Sequence, residues 1–217
     1  AAAGGRIESH MTPTRRTGEE SSANRTALLD AARQLMLEEG YAEVTSRRLA
    51  ARAGLEPQLV HYLFRTMDDL FVALIRRVSE KNLERQARAL ASPQPLRALW
   101  ALNSDPTGAA LSREFAVLAD QRKVIRDELA ACADRFRRAQ SDALARVLDH
   151  HGIDRHAFPA EAVLVLVAAI GQLLVQEESL GLTTGHAEIR TLVERTLARY
   201  EGDPPAAEPW PGASAAT

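Results

Sequence analysis

The chain has 217 residues, 46% of them hydrophobic and 26% charged, with a formal net charge of −2. This is the balance of a globular protein rather than a disordered one; it excludes whole-surface attraction to nucleic acid but leaves a local basic patch open. The single cysteine, Cys132, excludes an internal disulfide and any multi-cysteine zinc site. The longest unbroken apolar run, residues 162–170, stops short of the ~18 residues of a membrane span. The start of the chain lacks the apolar stretch of a secretory signal, so the expected location is the cytoplasm, with no membrane partner.

Residues 1–23 read as a leader and disordered N-terminal arm. AAAGGRIESH has the look of a vector-derived leader ahead of Met11, and residues 12–23 are polar without an apolar period. Leu28, Ala32, Leu35 and Met36 then mark a first helix that ends at Gly40. Thr45 is placed to cap a short second helix carrying Leu49, Ala50 and Ala53, which stops at Gly54. Glu56 and Pro57 open a short third helix, with proline at the first helical position, where its missing N–H costs nothing. Thr66 and Asp69 have capping-box spacing for a fourth helix running to about residue 90, with Met67, Leu70, Phe71, Leu74, Ile75 and Val78 as its stripe.

Pro93 and Pro95 interrupt the pattern. Helices are expected over about 96–102, 107–120 and 122–150, the last with Ile125, Leu129, Cys132, Phe136, Ala143 and Val147 on one face. Pro159 starts another to about residue 180, and residues 187–200 form the final one, striped by Ile189, Leu192, Val193, Leu197 and Tyr200. The run VLVLVAAI has strand-like β-branching, but no partner strand exists elsewhere and it reads as helix. Residues 202–217 (GDPPAAEPWPGASAAT) form a disordered Pro/Ala-rich tail in which Trp210 is the one residue suited to docking. The expected fold is all-α with about nine helices.

The informative stretch is TSRRLAARAGLEPQLVHYLFRTMDDL, residues 45–70. Two short helices joined by a glycine turn make a helix-turn-helix, whose second helix can lie in the DNA major groove. Val60, Leu63 and Phe64 anchor that helix inward and leave Pro57, Gln58, Leu59, His61 and Tyr62 toward its outer face. Four arginines (Arg47, Arg48, Arg52 and Arg65) stand against the single acid Glu56 between residues 45 and 65. Such a patch suits phosphate contacts, and the Gln58 amide suits the edge of an adenine.

With these residues the segment resembles the DNA-binding domain of TetR/AcrR-family transcriptional regulators, and the helices behind it agree with the family in number and length. The resemblance implies a helix-turn-helix domain at 24–72 and a ligand-binding and dimerisation domain at 73–201. Thr45 and Arg47 fall where members touch phosphate, with Arg48 and Arg65 as further DNA-contacting candidates. Glu56, Pro57, Gln58 and Leu59 occupy the variable base-reading positions. His61 and Tyr62 stand where the family usually has an aromatic pair on the DNA backbone, His61 being a departure. Met67 departs further, replacing a phosphate-contacting lysine, and it also belongs to the apolar stripe of the fourth helix.

The implied function is a DNA-binding regulator, usually a repressor, that holds a palindromic operator as a homodimer and is released by a small-molecule effector. Dimerisation has an independent argument. The helix over 162–174 is apolar nearly all round and needs burial on two sides, so together with the last helix it suits an intermolecular four-helix bundle. Bulky or polar residues on apolar faces, namely Trp100, Phe115, Phe136, Gln140, Gln172 and Gln176, are the candidates for the effector lining.

No cofactor or metal site is expected. His150, His151 and His156 diverge around Gly152, and a helix C-terminus already favours them. The acid pairs Asp68–Asp69 and Glu177–Glu178 do not face each other, and no phosphate-cradling, zincin, nucleophile-elbow or dinucleotide motif is present. The chain is therefore expected not to be an enzyme. Two alternatives remain open: a helical enzyme using His150 or Glu177 as acid–base groups, and an adaptor with a degenerate helix-turn-helix, favoured only by Met67 and His61.

Overall fold

The computed structural model describes the backbone of residues 13–203 and the side chains from residue 20 onward. The expectations for residues 1–12, for the tail beyond 203 and for Trp210 lie outside these described residues. Within them the chain forms nine α-helices, one 3-10 turn and no strand. In order these are α1 (Pro13–Glu39), the 3-10 turn (Tyr41–Glu43), α2 (Ser46–Ala53), α3 (Pro57–Leu63), α4 (Met67–Leu90) and α5 (Pro95–Asn103). Then come α6 (Pro106–Gln121), α7 (Lys123–His150), α8 (Ala160–Ser179) and α9 (His186–Glu201).

The local signals act as their chemistry requires. Thr45 is extended and its hydroxyl accepts from the Arg48 N–H, opening α2. Gly54 takes the left-handed conformation (φ 67°) that closes α2, and the Leu55 N–H returns to the Ala50 carbonyl at 2.9 Å. Thr66 and Asp69 exchange reciprocal hydrogen bonds at 3.0 and 3.1 Å, a complete capping box at the start of α4. One expectation fails: residues 13–23 are helical and not disordered. Polarity does not oppose helix formation, and Pro13 opens a polar extension of the amphipathic α1.

Two compact units result. The first runs up to Val78 and takes in Leu111–Cys132; the second holds Ser79–Ala110 and the chain from residue 133. The first unit thus reaches beyond the 24–72 segment. Its core joins Leu28, Leu35 and Met36 of α1 to Leu49 of α2, Val60 of α3 and Leu70 and Leu74 of α4, and then to Leu111, Phe115 and Leu118 of α6 and Ile125 of α7. The apolar stripes of α6 and α7 supply this added layer. Arg76 pins α4 to α7 through a two-pronged bond to Glu128 (2.9 and 2.6 Å), and Arg77 pins α4 to Asp30 of α1 (2.7 Å).

The second unit has one cluster of Leu90, Leu99, Leu144, Leu148, Ile153, Ala160 and Leu164, and a smaller one of Trp100, Leu174 and Leu197. Gly171 lets α8 approach the end of α5 closely, since a Cβ there would lie 2.4 Å from the Asn103 carbonyl oxygen. α8 also corrects the expectation about membrane-spanning length. Its 20 residues reach a mean hydropathy of 1.6 over an 18-residue window, which is long and apolar enough to cross a bilayer by length and composition. The nine-residue run missed this because Gly171, Gln172 and Gln176 dilute the apolar sequence without charging it.

Candidate nucleic-acid interface and ligand clefts

The helix-turn-helix is built from the inside out. Val60 and Phe64 are buried in the first unit's core and Leu63 packs against it, which turns the opposite side of α3 outward. Arg25 of α1 fixes the far end of α3 by donating to the Leu63 carbonyl (3.1 Å) while its guanidinium lies 4.3 Å from the Phe64 ring centroid. Sequence reasoning missed Arg25, because nothing in α1 marks which of its polar residues reaches α3.

The outward side carries Glu56, Pro57, Gln58, His61 and Tyr62, all exposed, with Leu59 half-buried at its edge. Tyr62 is 79% exposed, an unusual position for an aromatic ring with a polar tip unless it meets a partner. Thr45 and Arg47 are exposed at the start of α2, and Arg65 is exposed just after α3. Arg47 and Arg65 form no ion pair among the described residues, so their charges are available. Met67 is half-buried against the first unit's core, which accounts for its apolar character.

Arg48 corrects the sequence reading. Its guanidinium is held by Glu39 (2.5 and 2.6 Å) and Glu43 (2.5 Å), and Arg52 is held by Glu38 and Glu39. The basic balance read from residues 45–65 left out these acids because they precede that window on α1 and the 3-10 turn. The Arg48 hydrogen bond holds the Glu39 carboxyl below its ordinary value, and the Glu39 partner in turn pushes the Arg48 guanidinium up. Arg48 therefore tethers α2 to α1 rather than presenting a free cation.

The six effector candidates do not gather around one cavity. Phe115 is buried in the first unit's core, Phe136 is half-buried on α7, and Gln172 and Gln176 are exposed on α8. Trp100 and Gln140 are buried in the second unit and line different depressions. Trp100 lines an apolar groove between α5, α8 and α9, with Leu96, Ile170, Val193 and Tyr200, and Leu166 and Leu192 border it. Gln140 lines a cleft between the end of α4, the start of α5 and α7. Gln86, not anticipated, is buried on α4 with its amide oxygen unpartnered. Leu83 and Leu90, three residues before and four after it, place Gln86 on an apolar stripe, a signal that its own polarity masked. No group of three metal-ligating side chains converges among the described residues.

Comparison with known proteins places this architecture. The family model described as bacterial regulatory proteins, tetR family, matches residues 28–74, the span of the helix-turn-helix and its flanking helices. The HTH-type transcriptional repressor BepR of Brucella suis biovar 1 is 29% identical over 174 residues, covering 74% of this chain and 83% of that protein. A TetR-family regulator from Rhodococcus sp. shares the fold with a TM-score of 0.63 at 17% identity, over 82% of this chain and 99% of that one. A transcriptional regulator from Saccharomonospora viridis, crystallised with choline, superposes with a TM-score of 0.61 at 21% identity, over 72% of this chain and 85% of its own. Residues 28–74 therefore match the helix-turn-helix domain of the tetR family of bacterial regulatory proteins, and the chain shares the all-α fold of solved regulators of that family.

Proposed function

We propose that this regulator is a cytoplasmic repressor that binds a palindromic operator as a homodimer and is released by a small molecule held in its C-terminal domain. The observation that carries the DNA reading is the outward face of α3, where the exposed Gln58, His61 and Tyr62 are backed by buried Val60 and Phe64. In this reading residues 24–72 are the DNA-binding domain and 73–201 the ligand-binding and dimerisation domain. Glu56, Pro57, Gln58 and Leu59 meet base edges; Thr45, Arg47, His61, Tyr62 and Arg65 meet phosphates. The similarity to a protein named as a repressor supports the direction of control.

Dimerisation through α8 and α9 is supported by an apolar face that this chain leaves uncovered. Val165, Leu166 and Leu173 on α8 and Leu192 on α9 are exposed, Leu166 by 56%, and helical spacing aligns the α8 residues. A second copy covering this face would make an intermolecular four-helix bundle and present two recognition helices to successive major grooves. Release requires that the effector bind better to a state unsuited to the operator, with a typical coupling of about 1–3 kcal/mol. The choline complex of the Saccharomonospora viridis regulator supports a ligand-binding role for this fold.

The test is selection of bound fragments from the source genome, followed by titration of the enriched fragment across salt. An enriched palindrome whose affinity falls steeply with salt is expected. Weak binding without enrichment would overturn the operator reading.

A further inference from the structure

One sequence feature has no role so far: Trp210, set between Pro209 and Pro211 beyond the described residues. One surface has no occupant. The groove between α5, α8 and α9 is lined by Trp100, Ile170, Val193 and Leu197, all buried or half-buried, and by Phe158, whose ring is 50% exposed. A continuous apolar surface of this kind marks a site of contact. No aspartate or glutamate lines the groove. Arg195 and Arg199, one helical turn apart on α9, line it as exposed side chains and form no ion pair among the described residues.

The chain leaves α9 beside this groove. Gly202, at φ 73°, turns the backbone out of the helix. Gln94 donates to the carbonyls of Glu201 and Asp203 (3.1 Å each), and Arg97 donates to that of Gly202 (2.8 Å). These bonds tie the departing chain to the start of α5, where Leu96 begins the groove wall.

We infer that residues 204–217 fold back over the groove of their own chain, seating the Trp210 indole beside Trp100 and Glu208 against Arg195 and Arg199. The lengths agree. Seven residues from Asp203 to Trp210 reach about 22 Å as polyproline II, the conformation that Pro204, Pro205, Pro209 and Pro211 favour. The α9 wall from Ile189 to Tyr200 spans about 16 Å of helix rise, so the ring reaches every part of it. The prolines lower the ordering cost, and the short tether supplies a local concentration on the order of millimolar. The ring adds a large apolar area to an aromatic-lined wall, and the carboxylate answers the two free guanidinium groups. A second copy leaves room for this. Of the apolar face assigned to it, Leu166 and Leu192 line the groove but Val165 and Leu173 do not, and the α5 wall remains for the tail. Seated there, the tail closes the groove to other apolar molecules. This inference is independent of the operator and effector readings.

The experiment uses the full chain, whose two tryptophans are Trp100 and Trp210. In Trp100→Phe the Trp210 indole is the sole tryptophan. Its emission is expected to be blue-shifted and quenched by acrylamide severalfold less than in the urea-unfolded chain. Adding Arg195→Glu and Arg199→Glu, both at exposed positions, should raise the quenching toward the unfolded value. Because Trp100 is itself part of the wall, a second measurement keeps it: titration with anilinonaphthalene sulfonate, an apolar anion. Trp210→Ser should bind the dye about tenfold more tightly than wild type, because the tail no longer competes. Equal dye binding by wild type and Trp210→Ser overturns the assignment. So does protection of Trp210 that the charge reversal leaves unchanged, which would seat the ring elsewhere. Protection that fades as the protein is diluted would give the groove to the tail of a second copy and overturn the same-chain assignment.

Discussion

The carboxylate of Glu201, the last residue of α9, accepts the backbone N–H of Leu96 at 2.6 Å and that of Arg97 at 3.0 Å, so one helix end caps the start of another. The group is almost wholly enclosed, and Arg97 reinforces the joint by gripping Glu194 (2.6 and 2.7 Å) and the Gly202 carbonyl (2.8 Å). α5 opens on Pro95 after Gln94, whose side chain makes no cap bond, so its free N–H groups are served from more than a hundred residues away. Glu201→Ala leaves them unpaired in a closed environment. A loss of about 2 kcal/mol is expected, a fall of about 4–8 °C in melting temperature, with Glu201→Gln losing less. An unchanged melting curve for the alanine variant would show the cap to be unimportant.

Gly171 makes a second prediction with a sign opposite to intuition. On an isolated helix, alanine in place of glycine is stabilising by up to about 1 kcal/mol. Here the new methyl meets backbone at the end of α5, not a yielding side chain. Gly171→Ala should therefore destabilise by about 1–3 kcal/mol in thermal or urea unfolding. A neutral or stabilising effect would mean that α5 and α8 are less closely seated.

What sequence reasoning resolved was the chemistry closed within a few residues. The Thr45 cap, the Gly54 turn, Pro57 at the start of α3 and the Thr66–Asp69 box all operate inside one helical turn or one loop. What it misassigned depended on which separate elements meet. Arg48 looked free because Glu39 and Glu43 lay outside the window counted, although both precede it closely in the chain. Phe115 and Gln140 were grouped as possible cavity walls, yet Phe115 completes the core of the first unit and Gln140 lines a cleft in the second. A helical stripe says that a residue is inward-facing; it does not say which neighbour it faces.

The Arg48–Glu39 pair makes a prediction about acid. The Glu39 carboxyl titrates below its ordinary value of 4.5, because the folded chain supplies the Arg48 donor. Its contribution is fully present above the unfolded value and is lost as pH falls through the lowered folded one. Wild type should lose stability on acidification more steeply than Arg48→Gln, in which the depression is gone. Denaturant midpoints from neutral pH down to about pH 2 measure this, and parallel acid limbs would remove the pair from the account.

The uncovered face of α8 predicts the assembly. Leu166→Glu places a charge in the middle of the apolar strip formed with Val165 and Leu173, where burial without a partner is strongly unfavourable. Sedimentation should find wild type as a dimer and the variant shifted to monomer, with helicity retained. Because both half-sites are held through one assembly, operator affinity should fall with it. A variant that sediments like wild type would move the interface elsewhere.

Arg47 and Gln58 separate positioning from reading. Arg47 is exposed at the start of α2 without an ion pair among the described residues, whereas its neighbour Arg48 is committed to α1. Arg47→Gln should weaken all DNA sequences alike and reduce the slope of log affinity against log salt by about one, while Arg48→Gln leaves that slope near wild type. Gln58→Ala should instead cost about 1–3 kcal/mol on the operator, relaxing preference at one base position and leaving non-specific binding intact. The two signatures are independent because one contact is to charge common to every nucleotide and the other to a base edge. Competition binding across salt on operator and scrambled duplexes reads both. Equal weakening of the two duplexes by Gln58→Ala would remove it from base reading, and an unaltered slope for Arg47→Gln would remove that residue from the phosphate contacts.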